Sequence, residues 1–398
     1  MPKAGPDKLM ELEALRGIAA AIVLLHHFLL LVAPRLHGRN FPDDPIALVR
    51  TPLYALVNGS AAVTVFFVLS GFVLTVRAIE QRDWKQLLVG VLKRWPRLVP
   101  LVVVVNVLSA ILFLFGLYGN STWFNIRSEP GAGAFEQAAS VLGRAVREGA
   151  FTTFVSGTAN FNSALWTMHY ELIGSFLAYA TALVLIFQRS FWRAMATGVI
   201  ALLVTAMLLG EGGPYYAMPV AGALMARIYL EREALAQVSA VLKPWRGAIA
   251  IGVAALVIVL FGYDGYSKPV GFYAFAAPWS SPQTEPLIHG VAAVAALGLV
   301  LFYEPVRARL RGAMAGVLGR LSFPIYLVHL PVLHGLIAPI HTGLAAHSGS
   351  AVAATVAFVL FIVLTLTAAY PLAVLDERWV RYLREWGGLV ATRLRRAG

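Results

Sequence analysis

Long apolar runs recur along almost the whole chain, and they restrict its fold more than any other feature of the sequence. A run of about 20 apolar residues is long enough to cross the ~30 Å hydrocarbon core of a membrane as a helix. Backbone groups at membrane depth must be hydrogen-bonded within the protein, which favours helices for continuous apolar runs. The sequence therefore predicts an all-α polytopic membrane protein of about ten helices. The predicted spans are approximately 12–33, 52–76, 98–118, 164–187, 193–210, 214–230, 247–263, 286–303, 321–340 and 351–375.

Composition excludes several other classes of protein. Hydrophobic residues make up 59% of the chain and charged residues 13%, whereas soluble domains contain about 25% charged residues. There is no cysteine, which rules out disulfides, thiolate metal sites and a cysteine acyl-enzyme. The first apolar run starts near Glu11 and has no small-residue cleavage site, so it is interpreted as a retained span. We expect 1–398 to form a single membrane domain with no appended soluble domain.

The basic residues alternate between the two sides of the predicted membrane. With the N-terminus assigned to the cytoplasm, 25 Lys and Arg fall on that side and 7 on the other. Such an excess marks the cytoplasmic face, so both termini are predicted to be cytoplasmic. The net charge of +12 is spread over many short loops, which favours this interpretation over binding of nucleic acid.

The first span carries ionisable residues at two depths. Arg16 and His27 are eleven residues apart, which places them about 20° apart around a helix and about 16 Å apart along it. Buried ionisable groups are costly in a membrane and are therefore candidates for function. Arg16 is predicted near the cytoplasmic end and His27 in the outer half. The alternative is a snorkelling arginine and a histidine bonded to a nearby carbonyl.

The fourth span contains one carboxylate well inside the membrane. Glu171 follows Trp166 and His169, and helical rise places it roughly 10 Å from the outer surface. Its depth is similar to that of His27, so we expect the two side chains to pair, since a carboxylate orients an imidazole. The alternative is a carboxylate that only packs against a neighbouring helix.

Three further elements combine polar with small or aromatic residues. Arg94 and Arg97 precede the third span, and arginine forks suit phosphate groups; lipid headgroup contact is the alternative. Ser70-Gly71 interrupts an apolar span and permits close helix approach. Tyr326 and His329 are three residues apart and share a helix face, where they line a cavity or serve as satisfied core residues.

Two long segments are predicted on the outer side. The segment 119–163 contains Trp123 and a helical stretch around 135–147, and the segment 264–285 is rich in aromatic residues, including Trp279. Long ordered loops are often functional. Aromatic rings there can stack on sugars or anchor the loop at the membrane interface, and the sequence leaves both roles open.

Taken in order, these motifs resemble the membrane acyltransferase-3 family, whose members O-acylate glycans and some small molecules. The sequence departs from the family pattern at one element, where His169-Tyr170 replaces the usual residues before Glu171 and only one Glu follows. The elements that carry the resemblance are Arg16 followed after ten residues by His27, the run Phe66–Leu74 with Ser70-Gly71, the element Arg94/Arg97/Pro100, Leu165-Trp166 to Glu171, and Ser322/Tyr326/His329.

The resemblance implies an acyl-CoA donor, usually acetyl-CoA, and a hydroxyl acceptor, with no metal. It implies that His27 is the catalytic base, assisted by Glu171 and Arg16. The donor site is then assigned to Arg16, Arg94, Arg97, Ser70, Tyr326 and His329. The acceptor site is assigned to Trp166, His169, Trp123 and Trp279. Direct transfer is preferred, and a transient acyl-histidine is the rival route.

The acceptor and two non-enzymatic functions remain open at this stage. Carbohydrate or glycan is the preferred acceptor, and a macrolide-type small molecule is the alternative. A solute transporter using the same buried Arg and His is a second class of function, although no internal repeat supports it. A structural or lipid-binding membrane protein is a third. Abundant Arg, Ala and Gly suggest a bacterial protein of the inner membrane, in contact with lipid and not with nucleic acid.

Overall fold

The computed structural model describes residues 9–118, 123–131, 133–231, 235 and 240–396, and these residues form helices joined by turns, with no strand among them. The predicted all-helical architecture is therefore confirmed. Several predicted loop charges, such as Lys3 and Lys8, lie outside the described residues. The long helices are α1 (Met10–Val32), α2 (Gly59–Gln81), α3 (Trp84–Leu114), α4 (Ala134–Arg147), α5 (Trp166–Phe187), α6 (Phe191–Leu208), α7 (Gly213–Leu230), α8 (Arg246–Phe261), α9 (Thr284–Phe302), α10 (Ala313–Val332) and α11 (Ser350–Arg396).

Within the described residues, nine helical stretches are long and apolar enough to cross a membrane. Nine of the ten predicted spans fall on these stretches. The tenth, 214–230, falls on α7, which is a helix of 18 residues with Pro219 in its interior. The helix Ala134–Arg147 lies where a helical stretch was expected in the outer segment. The sidedness of the termini stays a prediction.

Helix α3 is much longer than the predicted span. It begins at Trp84, after the Asp83 side chain accepts a hydrogen bond from the Lys85 amide, whereas the predicted span began at residue 98. Arg94 and Arg97 are consequently inside the helix and not in a loop that precedes it. Helix α11 likewise continues past the predicted end at residue 375 to Arg396.

Helices α2 and α7 approach closely at two glycines. A Cβ at Gly71 would overlap the Pro219 carbonyl, and a Cβ at Gly222 would overlap the Val68 carbonyl. Only glycine leaves room for this backbone contact. The close approach expected at Ser70-Gly71 is thus present, and it fixes the position of Ser70 next to Gly71.

Helices α1 and α10 run in parallel, as the alternating span assignment predicts. Gly17 of α1 packs on Leu318 of α10. About three turns farther along both helices, His27 contacts His329. Helix α11 covers α3 on the other side, where the Trp379 indole donates a hydrogen bond of 2.7 Å to the Pro96 carbonyl. Pro96 directly precedes Arg97 in the chain, so α3 and α11 meet next to the Arg97 side chain.

Candidate active site

A cavity of about 280 Å³ lies between α1, α2, α3, α5 and α10. Its walls are mainly apolar, from residues such as Phe66, Phe67, Leu98 and Phe323. Six of the side chains that the sequence analysis selected also line it, which are Arg16, Ser70, Arg94, Arg97, Glu171 and Tyr326. Residues that are far apart in the sequence therefore share one enclosed space.

An ion pair between Arg94 and Glu171 occupies one wall of the cavity. The Ser70 hydroxyl donates to Glu171 at 2.7 Å, and Arg94 Nε donates to the Ser175 hydroxyl at 2.7 Å. A second Arg94 nitrogen lies 3.1 Å from the Ser70 oxygen. The carboxylate and the guanidinium are both largely buried, and each offsets the desolvation cost of the other.

The expected pair between Glu171 and His27 is wrong. Glu171 is bonded to Arg94 and Ser70, while His27 contacts the Val23 carbonyl and His329. The prediction failed because α3 was expected to begin after Arg94, which left no cation at the depth of Glu171. A buried carboxylate is satisfied better by a permanently charged guanidinium than by an imidazole.

Arg97 is held by a residue that the sequence analysis did not select. Its two terminal nitrogens donate to the two oxygens of Asp376, at 2.6 and 2.8 Å. Arg16 lies 3.6 Å from Glu13 on its own helix. The position of Asp376, directly after the last predicted span, was the one signal in the sequence that pointed to it.

A second cavity of about 620 Å³ adjoins the first and shares Val73, Leu74, Arg94 and Arg97 with it. Five cations line this cavity, which we name the inner vestibule: Arg77, Lys93, Arg94, Arg97 and Arg384. No carboxylate is among its described lining residues. Arg77 and Arg384 were missed in the sequence, because one lies on α2 and the other on the extension of α11.

His27 is oriented by two contacts at one ring nitrogen. Nδ1 lies 3.0 Å from the Val23 carbonyl and 3.2 Å from His329 Nε2. A carbonyl only accepts, so His27 Nδ1 carries the proton and the Nε2 of the neutral ring keeps its lone pair. The sequence left open a histidine that is only bonded to a nearby carbonyl, and this contact is present. It nevertheless leaves Nε2 of His27 without a hydrogen-bond partner among the described residues. The arrangement can supply a base at Nε2.

His329 connects His27 to the cavity. Its Nδ1 donates to the Tyr326 carbonyl at 2.7 Å, so its Nε2 is an acceptor facing His27. The Tyr326 ring lines the cavity and lies 5.8 Å from the His329 ring. The Tyr326 hydroxyl is bonded to Thr167 and to the Ala164 carbonyl. His27 itself does not line the cavity, since these two rings stand between them.

His26 has surroundings different from those of His27. It is 4% exposed, and its Nδ1 donates to the Val57 carbonyl at 2.9 Å. Its ring also packs against Gly59 and lies 4.6 Å from the ring of His37. His26 is thus a buried side chain at the junction of α1 and α2.

The residues predicted to bind the acceptor are not all together. The Trp123 ring lies 5.5 Å from that of His27, and Trp166 packs against Tyr170 and Tyr215. His169 is fixed at both nitrogens, by the Phe154 carbonyl and the Tyr216 hydroxyl. Trp279 is 70% exposed and ends the 3-10 helix Gly271–Trp279, in a separate part of the chain. Among the four, Trp123 is the one in ring contact with His27.

No group of three or more His, Asp or Glu side chains in the described parts of the chain is arranged to hold a metal ion. The fold is that of a multi-pass membrane protein, and its cavity brings several charged and polar side chains together between the helices. The chain belongs to the acyltransferase-3 family, because the family's sequence profile, described as an acyltransferase domain, matches residues 10–374.

Comparison with individual proteins adds one relative. Among curated proteins, the chain is similar to "O-acetyltransferase PaAT-1" of Phomopsis amygdali, with 25% identity over 372 residues. The match covers 82% of this chain and 72% of that protein. No solved structure matches the chain significantly. The family and this relative support O-acyltransferase activity.

Proposed function

We propose that this membrane acyltransferase moves an acetyl group from acetyl-CoA to a hydroxyl of a carbohydrate acceptor, with His27 as general base. The observation that carries the proposal is the His27 ring, whose Nδ1 is held by Val23 and His329 while Nε2 keeps a lone pair. A base of this kind must present an unprotonated nitrogen to the reacting hydroxyl. Transfer of an acetyl group to a hydroxyl oxygen agrees with the name of the relative, an O-acetyltransferase.

The donor is proposed to enter through the inner vestibule. Its cations suit the phosphates of CoA. The smaller cavity lies directly beside the vestibule, so the pantetheine arm is proposed to extend from one into the other. Arg94 and Arg97 are engaged by Glu171 and Asp376, so we assign the phosphates to Arg77, Lys93 and Arg384. This assignment revises the sequence-based one, in which Arg16, Arg94 and Arg97 held the phosphates.

The acyl group is proposed to reach His27 past two aromatic rings. Phe66 and Tyr326 line the cavity and their ring centroids are 5.9 Å apart. Beyond them are His329 and His27. The Phe66 and Tyr326 rings are in edge contact, so they are proposed to separate to let the thioester carbonyl meet the acceptor hydroxyl at His27 Nε2.

A single base can carry out both proton transfers of the reaction. Nε2 of His27 takes the proton of the acceptor hydroxyl as its oxygen attacks the thioester carbonyl carbon. Collapse of the tetrahedral intermediate breaks the carbon–sulfur bond, and the CoA thiolate takes the proton from the imidazolium. The products are the O-acetyl ester and CoA. Direct transfer is the proposed route, and trapping of an acetyl group on His27 in the absence of acceptor would instead favour the acyl-histidine route.

The acceptor is proposed to approach from the face opposite the termini. The 25 to 7 distribution of Lys and Arg supports cytoplasmic termini. His27 lies five residues before the end of α1 at Val32, which is about 8 Å from that end. The composition supports a bacterial inner membrane as the location.

The test compares His27→Ala with His26→Ala, its neighbour of the same residue type. Removal of a general base is expected to lower acetyl transfer by about 10²–10⁴-fold. His26→Ala is expected to lower thermal stability, because His26 is buried and bonded to Val57, but to leave turnover per folded molecule nearly normal. The measurement is acetyl-CoA consumption with a panel of oligosaccharides, at equal folded yield. Normal turnover in His27→Ala contradicts the assignment.

A further inference from the structure

A polar pocket on the outer side of the molecule is not used by the proposed chemistry. It has a volume of about 330 Å³, which is the lower end of the size range of ligand sites. We name it the outer pocket. It is lined by Asn125, Ile126, Arg127, Arg144, Arg147, Glu148, Thr152, Thr158, Asn160 and Phe161.

The outer pocket is close in sequence to Trp123, the residue whose ring lies beside that of His27. Trp123 contacts the His27 ring, and Asn125 lines the pocket. Two residues span at most about 7 Å. The backbone N–H of Asn125 donates a hydrogen bond of 3.0 Å to the backbone carbonyl of Asn160. This bond joins the two walls of the pocket. A short stretch of chain therefore joins the pocket to the Trp123–His27 contact, and an acceptor of several sugar units can extend along it toward His27.

Glu148 gives the pocket a fixed shape. It is 5% exposed, and its two oxygens accept hydrogen bonds from the Asn160 side chain and the Phe161 amide, at 2.9 and 3.1 Å. Because both oxygens are already engaged, Glu148 holds the loop and is not the main ligand contact. Burial raises the pKa of this carboxyl.

The charge of the pocket favours an anion. Arg127 and Arg147 are exposed and form no ion pair with the described residues. Arg144 is paired with Glu129, but its Nε is buried and lacks a hydrogen-bond partner in the described region. Guanidinium groups bind carboxylates and phosphates in a bidentate manner, while the Asn and Thr side chains of the pocket suit hydroxyls. A ligand with one anionic group and several hydroxyls satisfies both sets.

We propose that the outer pocket binds an acidic sugar unit of the acceptor and thereby positions a neighbouring hydroxyl at His27. The proposal rests on the proposed function, since it concerns the acceptor of that reaction. It narrows the acceptor to an anionic saccharide. A lipid headgroup offers the same anionic chemistry without the sugar, and the test separates the two.

The test measures binding without acyl donor, in nanodiscs of phosphatidylcholine. Trigalacturonate is the acidic probe and galactotriose the neutral one. We expect at least tenfold tighter binding of trigalacturonate, and a loss of about tenfold to a hundredfold in Arg127→Gln/Arg147→Gln, as for hydrogen bonds to charged groups. Both arginines are exposed, so the variant is expected to fold. Lys268→Gln, an exposed outer cation that does not line the pocket, is the control and should bind normally.

Equal affinity for the two probes, or unchanged affinity in the double arginine variant, overturns the proposal. So does complete competition by phosphatidylglycerol in the nanodiscs at a few molecules per protein, because the pocket is then a lipid site. His27→Ala should still bind trigalacturonate. If the wild type binds it selectively and yet transfers no acetyl group from acetyl-CoA, the proposed function fails while the acidic-sugar site stands.

Discussion

Arg94 and Glu171 show how strongly one buried charge depends on its partner. Both side chains lie in the membrane-spanning part, and Ser70 and Ser175 complete their hydrogen bonds. Breaking such a pair leaves an isolated charge in an apolar environment, at a cost of about 3–5 kcal/mol. Neutralising the remaining partner removes that penalty.

Arg94→Ala is therefore expected to lower the free energy of unfolding by several kcal/mol, and Arg94→Ala/Glu171→Gln by less. Thermal unfolding in one detergent, with all proteins at the same pH, measures both. If the loss in the double variant equals the sum of the losses in Arg94→Ala and Glu171→Gln, the pair contributes no coupling. Arg77→Ala is the control, since Arg77 lines the vestibule and is not part of the pair.

His37 predicts a pH dependence of stability. It is fully buried outside the spans, and burial together with nearby Arg39 lowers its pKa from 6.5 to about 3. The unfolded chain thus binds more protons than the folded one between those values, so stability is complete above pH 6.5 and falls as the pH is lowered. The loss is about 1.4 kcal/mol for each pH unit in that window.

The measurement is the change in melting temperature between pH 7 and pH 4.5, for the wild type and His37→Gln. We expect His37→Gln to be less stable at pH 7 but to show a smaller drop on acidification. A drop as large as that of the wild type means that other groups account for the acid sensitivity.

Sequence patterns identified residues more reliably than they identified partners. Arg16, Ser70, Glu171 and Tyr326 were selected from polarity in apolar spans and from family motifs, and all of them line one cavity. Partners of these residues depend on which helices are neighbours and on their register. A single sequence contains neither, so the Glu171–Arg94 and Arg97–Asp376 pairs were not found.

At the scale of elements, hydropathy located the spans but not the ends of the helices. Charged residues are interspersed with apolar ones in α3 before residue 98 and in α11 after residue 375, so these parts were left out of the predicted spans. These two extensions carry Lys93 and Arg94 on α3 and Asp376 and Arg384 on α11. These polar extensions supply much of the cationic lining next to the cavity. Helix ends are set by capping groups such as Asp83, which hydropathy does not register.

The contact between α2 and α7 gives a prediction for an element. Gly71→Ala places a methyl group against the Pro219 carbonyl and is expected to cost about 1–3 kcal/mol, as overpacking does. It should also displace Ser70 and so reduce acetyl transfer. Gly252→Ala in α8 is the control, because a Cβ there meets no neighbour. Thermal unfolding and acetyl transfer are measured for both; equal behaviour of the two variants would show that the α2–α7 contact tolerates separation.

On the scale of the whole molecule, the inner vestibule, the cavity and His27 follow one another along the helices, and the outer pocket lies beyond Trp123. This order matches a proposed donor path from one face and an acceptor path from the other. The five cations of the vestibule come from α2, α3 and α11, so the donor site depends on how these helices pack. The prediction that follows concerns α11.

Arg384→Gln is expected to raise the KM for acetyl-CoA by about tenfold, the loss of one charge-assisted hydrogen bond, and to leave the KM for S-acetylpantetheine unchanged. That donor lacks the phosphates that the vestibule cations are proposed to contact. Arg381→Gln, an exposed position on the same helix outside the vestibule lining, should leave both values alone. An equal rise for the two donors in Arg384→Gln would point to a general change of fold.

Asp376 lies two residues beyond the end of the family match at residue 374. A protein shortened to that boundary would keep every motif that defines the family and would lose the carboxylate that holds both terminal nitrogens of Arg97. It would also lose the Trp379 indole, which binds the Pro96 carbonyl, and Arg384 of the vestibule. The segment that matches the family is thus shorter than the segment that packs around the cavity. Deletion variants of this protein therefore need to end well after residue 384.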